Sequence, residues 1–276
     1  MGINNDLENC KTADDLWSLY DLYDGEAIGK AVRNFCLKYR TKAKVLEAVY
    51  WDGLALEYAS EAMRNDKEVV LEAVWQNGDA LRYANEALQG DREVVIVAVR
   101  NSMDGDALQY ASWKLRNDKK VVMKAVNQDG LALCFASKKM RGDRDVVVAA
   151  VQDEGGALRY ASDELKADRG VVLAAVKQAG DLLAEVEFYD RDALPSLMRP
   201  DGGALRWASR ELRNDKEVVL EAVKTNWPAL EFASEELRAD RDVVLAAVKQ
   251  DGRALKYVRE VVQEMARCWI VEAKND

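Results

Sequence analysis

Histidine is absent from all 276 residues. With it go the commonest general base at neutral pH and the commonest zinc ligand. The four cysteines, Cys10, Cys36, Cys134 and Cys268, lie far apart with no C-x-x-C pair. That spacing argues against a disulfide framework and favours a reducing, intracellular, cytoplasmic setting. No apolar run approaches the roughly 18 residues of a membrane span, so no membrane insertion is expected. MGINNDLENC lacks the apolar core of a signal peptide, and Asp6 stands where myristoylation wants serine or threonine. Positive charge is in deficit: the net charge is −9. This weighs against nucleic acid, whose readers carry a basic face, and points to a partner with some basic character.

What is present is a repeat. The stretch from Asp66 to Gly90, DKEVVLEAVWQNGDALRYANEALQG, returns in edited form from Thr41 onward. Its aspartates are Asp66, Asp91, Asp118, Asp143, Asp168, Asp215 and Asp240, at steps of 25, 27, 25, 25, 47 and 25 residues. A fixed period of this size marks a repeat architecture. The two extra residues of the 27-residue step fall at Asn101-Ser102-Met103. The 47-residue step reads as hiding a degenerate copy at about 177–200, in which Asp190 to Met198 aligns with Asp240 to Val248.

Each unit reads as a pair of short helices. The aspartate suits an N-cap, where its carboxylate accepts from first-turn N–H groups at the positive end of the dipole. Val69, Val70, Leu71, Ala73 and Val74 then place apolar residues on nearly every side, as in a helix with several neighbours. Asn77-Gly78 and its equivalents Asp52-Gly53, Asp129-Gly130 and Asp251-Gly252 read as turns in which glycine supplies a positive φ. In one copy Trp227-Pro228 replaces the turn, with proline at the first helical position. The second helix would carry Ala80, Leu81, Ala84 and Leu88 as a single stripe. Helices of about ten residues are too short to stand alone in water, so the units must stack. The expected fold is an all-α solenoid of helical hairpins, one continuous domain.

Along the chain, residues 1–40 read as an N-terminal helical cap, with Trp17, Tyr20 and Tyr23 on its first helix. Repeats follow over 41–252, with Thr41 in the first aspartate's place. Residues 253–276 read as a C-terminal capping helix that continues the last repeat helix through Met265, Trp269 and Ile270. Pro195 would kink the degenerate unit. The pattern D-[KR]-[ED]-V-V-L-x-A-V-x-x-[DN]-G-x-A-L-x-[YF]-A-S-x-x-L-R resembles the tandem repeats of domain-of-unknown-function family 4116. The resemblance covers roughly Thr41 to Tyr257 except Lys177 to Met198. It implies a multi-copy helical array and brings no catalytic residues.

The recurring residues have structural readings. Tyr58, Tyr83, Tyr110, Phe135, Tyr160, Trp207, Phe232 and Tyr257 read as inter-hairpin packing, against a base-stacking alternative. Ser60, Ser112, Ser137, Ser162, Ser209 and Ser234 read as mid-helix hydroxyls bonded to the preceding turn, since no histidine is there to activate them. Repeating aspartates about one hairpin apart cap helices and share no metal. Arg141-Gly142-Asp143 is repeat register. Residues that depart from register are better candidates for a partner. Tyr50, Trp51 and Trp75 cluster at the ends of the early first helices, where later units carry Arg100, Asn127, Gln152, Lys177, Lys224 and Lys249. Exposed tryptophan and tyrosine favour interface hot spots; packing under the N-terminal cap is the opposing reading. The expectation is a non-catalytic scaffold for a protein or peptide, with no cofactor or metal. A structural or linker subunit is the alternative. A carboxylate-based enzyme and a nucleic-acid reader rank below both.

Overall fold

The computed structural model describes residues 41–102, 105–185, 203–258 and 262–272. The expected cap over 1–40 lies outside them. The described residues hold helices and no strand. Contacts divide the chain into two compact units, Met1–Gln128 with Phe135–Ser137, and Asp129–Cys134 with Lys138–Asp276.

In the first unit the long helices are α1 (Lys42–Trp51), α2 (Lys67–Gln76), α3 (Arg92–Arg100) and α4 (Lys119–Val126). Each packs beside the next. In the second they are α5 (Arg144–Asp153), α6 (Arg169–Glu185), α7 (Lys216–Thr225), α8 (Arg241–Gln250) and α9 (Gln263–Glu272), again neighbour on neighbour. The fold is an all-α solenoid of about 25-residue repeats.

The aspartates cap as their position predicts. Asp66 Oδ1 accepts from the N–H groups of Glu68 at 3.0 Å and Val69 at 3.3 Å. Asp91, Asp118, Asp143, Asp215 and Asp240 do the same in their own units. Thr41 makes no such side-chain bond. Behind each cap the apolar run is buried: Val69, Val70, Ala73 and Val74 are closed to solvent, as are Ala80 and Leu81 of the second half. Each valine or leucine so buried contributes about 1.5–3 kcal/mol.

The second half of each unit is not one helix. Gly78–Tyr83 is a 3-10 helix, Ala84 is extended, and Glu86–Gln89 forms a single α-turn capped by Asn85. Ser60, Ser162 and Ser209 are caps of this kind rather than mid-helix hydroxyls; the Ser162 hydroxyl oxygen, for example, accepts from Leu165 N–H. The break has a non-local cause. Asn85 N–H donates to Arg64 C=O of the preceding repeat at 3.1 Å, and Ser112 N–H to Gln89 C=O at 2.9 Å. In the second unit Ser162 N–H reaches Arg141 C=O, and Ser234 N–H reaches Arg213 C=O. A continuous helix would consume those N–H groups internally; the break releases them to tie repeat to repeat.

The turn glycines also act differently from the expectation. Among the described residues only Gly105 and Gly203 have positive φ. Gly78 is glycine because the next repeat leaves no room: a Cβ there would stand 2.0 Å from Ala98 O. Gly155 meets Ala175 O in the same way at 2.3 Å. The freed backbone is used for pairing. Gly155 N–H donates to Gln178 Oε1 at 2.7 Å while Gln178 Nε2 donates back to Asp153 C=O at 2.5 Å. Gln76 clamps Gly53 N–H and Trp51 C=O likewise.

Across the 47-residue step, α6 packs directly on α7. Ser209 N–H donates to Lys166 C=O at 2.9 Å, the bond that elsewhere joins adjacent repeats. Arg169 pairs with Asp215 at 3.0 Å and with Glu217, as Lys67 does with Asp91 and Glu93. The repeats that begin at Asp168 and Asp215 are therefore in direct contact, and about 177–200 is where the degenerate unit was expected. Its residues 177–185 continue α6, and the rest lie outside the described residues. The C-terminal expectation also changes. The chain after Gly252 is a 3-10 helix to Tyr257, then extended at Val258, and α9 is a separate ten-residue helix packed on α8. Val258 stands in the place of Ala84, so the last repeat breaks where the others do.

Candidate functional site: exposed aromatics and a charged edge

The edge carrying the caps is an ion-pair ladder. The cation after each N-cap residue reaches the next repeat: Lys42 lies 2.7 Å from both Asp66 and Glu68, Lys67 is 2.8 Å from Asp91 and Glu93, and Lys216 is 2.9 Å from Asp240 and 2.7 Å from Asp242. The Lys42 ammonium and the backbone N–H groups hold the Asp66 carboxyl below its ordinary pKa, and Lys67 does the same for Asp91. For Asp240 burial opposes the shift, and Lys216 with the Val243 N–H overcomes it. The Lys67 and Lys216 ammonium groups move up correspondingly. These carboxylates are occupied in holding the stack.

Tyr50 and Trp75 hold the same position on the neighbouring helices α1 and α2. Both face solvent, at 52% and 62% exposure. Trp51 differs. It is half-buried, meets Tyr50 edge to face at 5.1 Å, and its C=O accepts from Gln76 Nε2. It stands where other repeats place the clamping glutamine. Of the three aromatics singled out from the sequence, Tyr50 and Trp75 are exposed at equivalent positions and Trp51 is half-buried against Tyr50. The cap residues Trp17, Tyr20 and Tyr23 lie outside the described residues.

Trp113 escaped the sequence reading. It is 68% exposed, where other repeats carry Glu61, Glu86, Lys138, Asp163, Arg210 and Glu235. The same rule, a departure from register toward an aromatic, would have found it. The recurring rings of the 3-10 helices are half-buried, as packing residues with wet edges should be.

Among the described residues no group of three His, Cys, Asp or Glu side chains could hold a metal ion. An open groove of about 810 Å3 in the second unit sets Arg210, Arg213 and Arg238 against Glu211, Glu235 and Glu236. Its Glu211 carboxyl lies below its usual range, held by its own backbone N–H, the Ser209 hydroxyl and the two flanking arginines. That is the reverse of the raised pKa a general acid needs. No described helix is long and apolar enough to cross a membrane.

No curated protein matches the chain. The family model described as Domain of unknown function (DUF4116) matches six times in tandem, at residues 44–89, 70–116, 91–141, 143–189, 201–238 and 215–261. With these matches running through most of its length, the chain belongs to the DUF4116 family, as a multi-copy array of its repeats.

Proposed function

We propose that the protein is a non-catalytic scaffold that holds a protein or peptide partner on the solenoid surface at Tyr50 and Trp75, with Trp51 supporting them. The observation that carries this reading is the exposure of Tyr50 and Trp75 on adjacent helices, at a position polar in every later repeat. Large rigid rings lose little entropy on contact and dominate interface energies. Glu72, one turn before Trp75, and the net charge of −9 favour a partner with basic character. The chemistry needs no cofactor, and a cytoplasmic setting suits its four widely spaced cysteines.

The test is affinity capture from cell extract followed by titration of the identified partner against purified protein. Tyr50→Ala/Trp75→Ala, folded by circular dichroism, is expected to weaken the partner at least tenfold. Unchanged affinity would remove these residues from the interface. A second reading, a structural or linker subunit of a larger assembly, draws on Met265 of α9, which is 48% exposed. Solution mass separates the two: the scaffold reading expects a monomer, the subunit reading an assembly that Met265→Glu dissociates.

A further inference from the structure

Helix α4 breaks the charge pattern of its neighbours. The second residue of the long helix is acidic in α2, α3, α5, α7 and α8, at Glu68, Glu93, Asp145, Glu217 and Asp242. In α4 it is Lys120, and the first turn holds no acid. One turn later Lys124 takes the place of Glu47 and Glu72. The departure costs the fold twice. A lysine in the first turn opposes the positive end of the helix dipole. It also removes an ion-pair partner. Lys67 and Lys216 each reach two acids of the next repeat, whereas Arg92 reaches Asp118 alone, at 3.6 Å. Stacking therefore does not account for Lys120, and a residue that works against its own helix is a place to look for function.

The cations share one surface of the first unit. The Arg92–Asp118 pair sets the N-terminal ends of the packed helices α3 and α4 side by side. Lys120 and Lys124 lie one turn apart on the same face of α4. Arg100 holds on α3 the place of Asn127, one turn beyond Lys124. Lys120, Lys124 and Arg100 are exposed and form no ion pair among the described residues. The one carboxylate within α3 and α4 is Glu93, which Lys67 holds at 2.8 Å.

We propose that the α3–α4 surface binds an extended acidic segment of a partner protein, whose carboxylates seat on Lys120, Lys124 and Arg100. The first of them gives Arg92 the second acid that Lys67 finds in Glu93. Four residues of helix rise about 6 Å and two residues of extended chain about 6.6 Å, so acids at alternate positions match Lys120 and Lys124. Salt screens exposed charges beyond about 8 Å, so these local cations set the preference rather than the net charge of −9. Neither α3 nor α4 carries an aromatic ring on which a base could stack, which favours a peptide over a nucleic acid strand. The surface lies on other helices than Tyr50 and Trp75 and does not rest on them.

The test is fluorescence polarisation of a labelled peptide with Glu at three alternate positions between Ser and Gly. The intact protein is expected to bind it at least tenfold tighter than the same peptide with Lys for Glu. Lys120→Glu/Lys124→Glu restores residues that other repeats carry, so it should hold or raise the urea midpoint while weakening the peptide at least tenfold. Lys224→Glu/Lys249→Glu, the same change of charge at exposed lysines of α7 and α8, should leave binding within twofold. The proposal is overturned if the peptide does not bind, if both double variants weaken it equally, if the α4 variant loses binding together with stability, or if a thymidine oligonucleotide binds more tightly. It is overturned too if the wild type self-associates and the α4 variant does not, since the occupant is then a second copy of the chain.

Discussion

At Gly78 a Cβ would stand 2.0 Å from the Ala98 carbonyl oxygen; at Gly252, the same place in the last repeat, it would meet nothing within 4 Å. The two turns share a sequence pattern but differ in what lies beyond them. The glycine is required by the following repeat, not by the local turn. The same holds for the Asn85 N–H, the Gln76 and Gln178 clamps, and the Lys67 and Lys216 ammonium groups, each of which finishes its bonding in another repeat. Residues that recur are used up in this stacking. Those that depart from the pattern, Tyr50, Trp75 and Trp113, are left facing water.

The sharpest break of that comparison is substitution at its two ends. Gly78→Ala drives a methyl group into a backbone carbonyl and should cost about 3 kcal/mol. Gly252→Ala should stay within about 0.5 kcal/mol. Urea unfolding of both checks this, and equal losses would refute the close-approach account. The caps come next. Asp215→Ala removes two backbone acceptor contacts and should cost about 1–2 kcal/mol, whereas Thr41→Ala, whose side chain makes no cap bond, should be close to neutral.

Acid should erase the difference between those two caps. The Asp66, Asp91 and Asp215 carboxyls titrate below their unfolded values. Their contribution is therefore complete above about pH 4 and fades as pH falls through the depressed folded pKa values. The urea midpoint should fall between pH 7 and pH 3, and the gap between wild type and Asp215→Ala should narrow. A gap that widens toward acid would contradict the assignment. The smallest expected effect is a deletion. Removing residues 179–200 joins Gln178 to Asp201-Gly202 and restores the 25-residue step. Because α6 already packs on α7, stability should change by about 1 kcal/mol or less. A molten product by near-ultraviolet circular dichroism would show that the segment belongs to the stack.

Much of this was legible in the sequence, for a physical reason. The period, the buried Val69-Val70 and Ala73-Val74 pairs and the aspartate caps depend on local spacing, which a sequence displays directly. The break at Ala84-Asn85 was not legible, because it is set by Arg64 C=O of the preceding repeat. The glycine's role was misread for the same reason: Ala98 O belongs to the next helix. The contact between the repeats at Asp168 and Asp215 was not legible either, because it rests on the bonds from Ser209 to Lys166 and from Arg169 to Asp215. At the candidate site the sequence puts Tyr50 and Trp75 at equivalent positions, and the helices that carry them pack side by side. It could not separate them from Trp51, whose half-burial follows from its contact with Tyr50 and its place in the clamp.

The most direct test of the central claim, that recurring residues hold the stack while departures from the repeat are read by a partner, is the partner's affinity for Tyr50→Ala/Trp75→Ala, with thermal unfolding followed on the same sample. The account predicts a melting temperature within a few degrees of wild type and binding weakened at least tenfold. Full binding by that variant, or a melting temperature that collapses with it, would contradict the division of labour and place these rings in the stack.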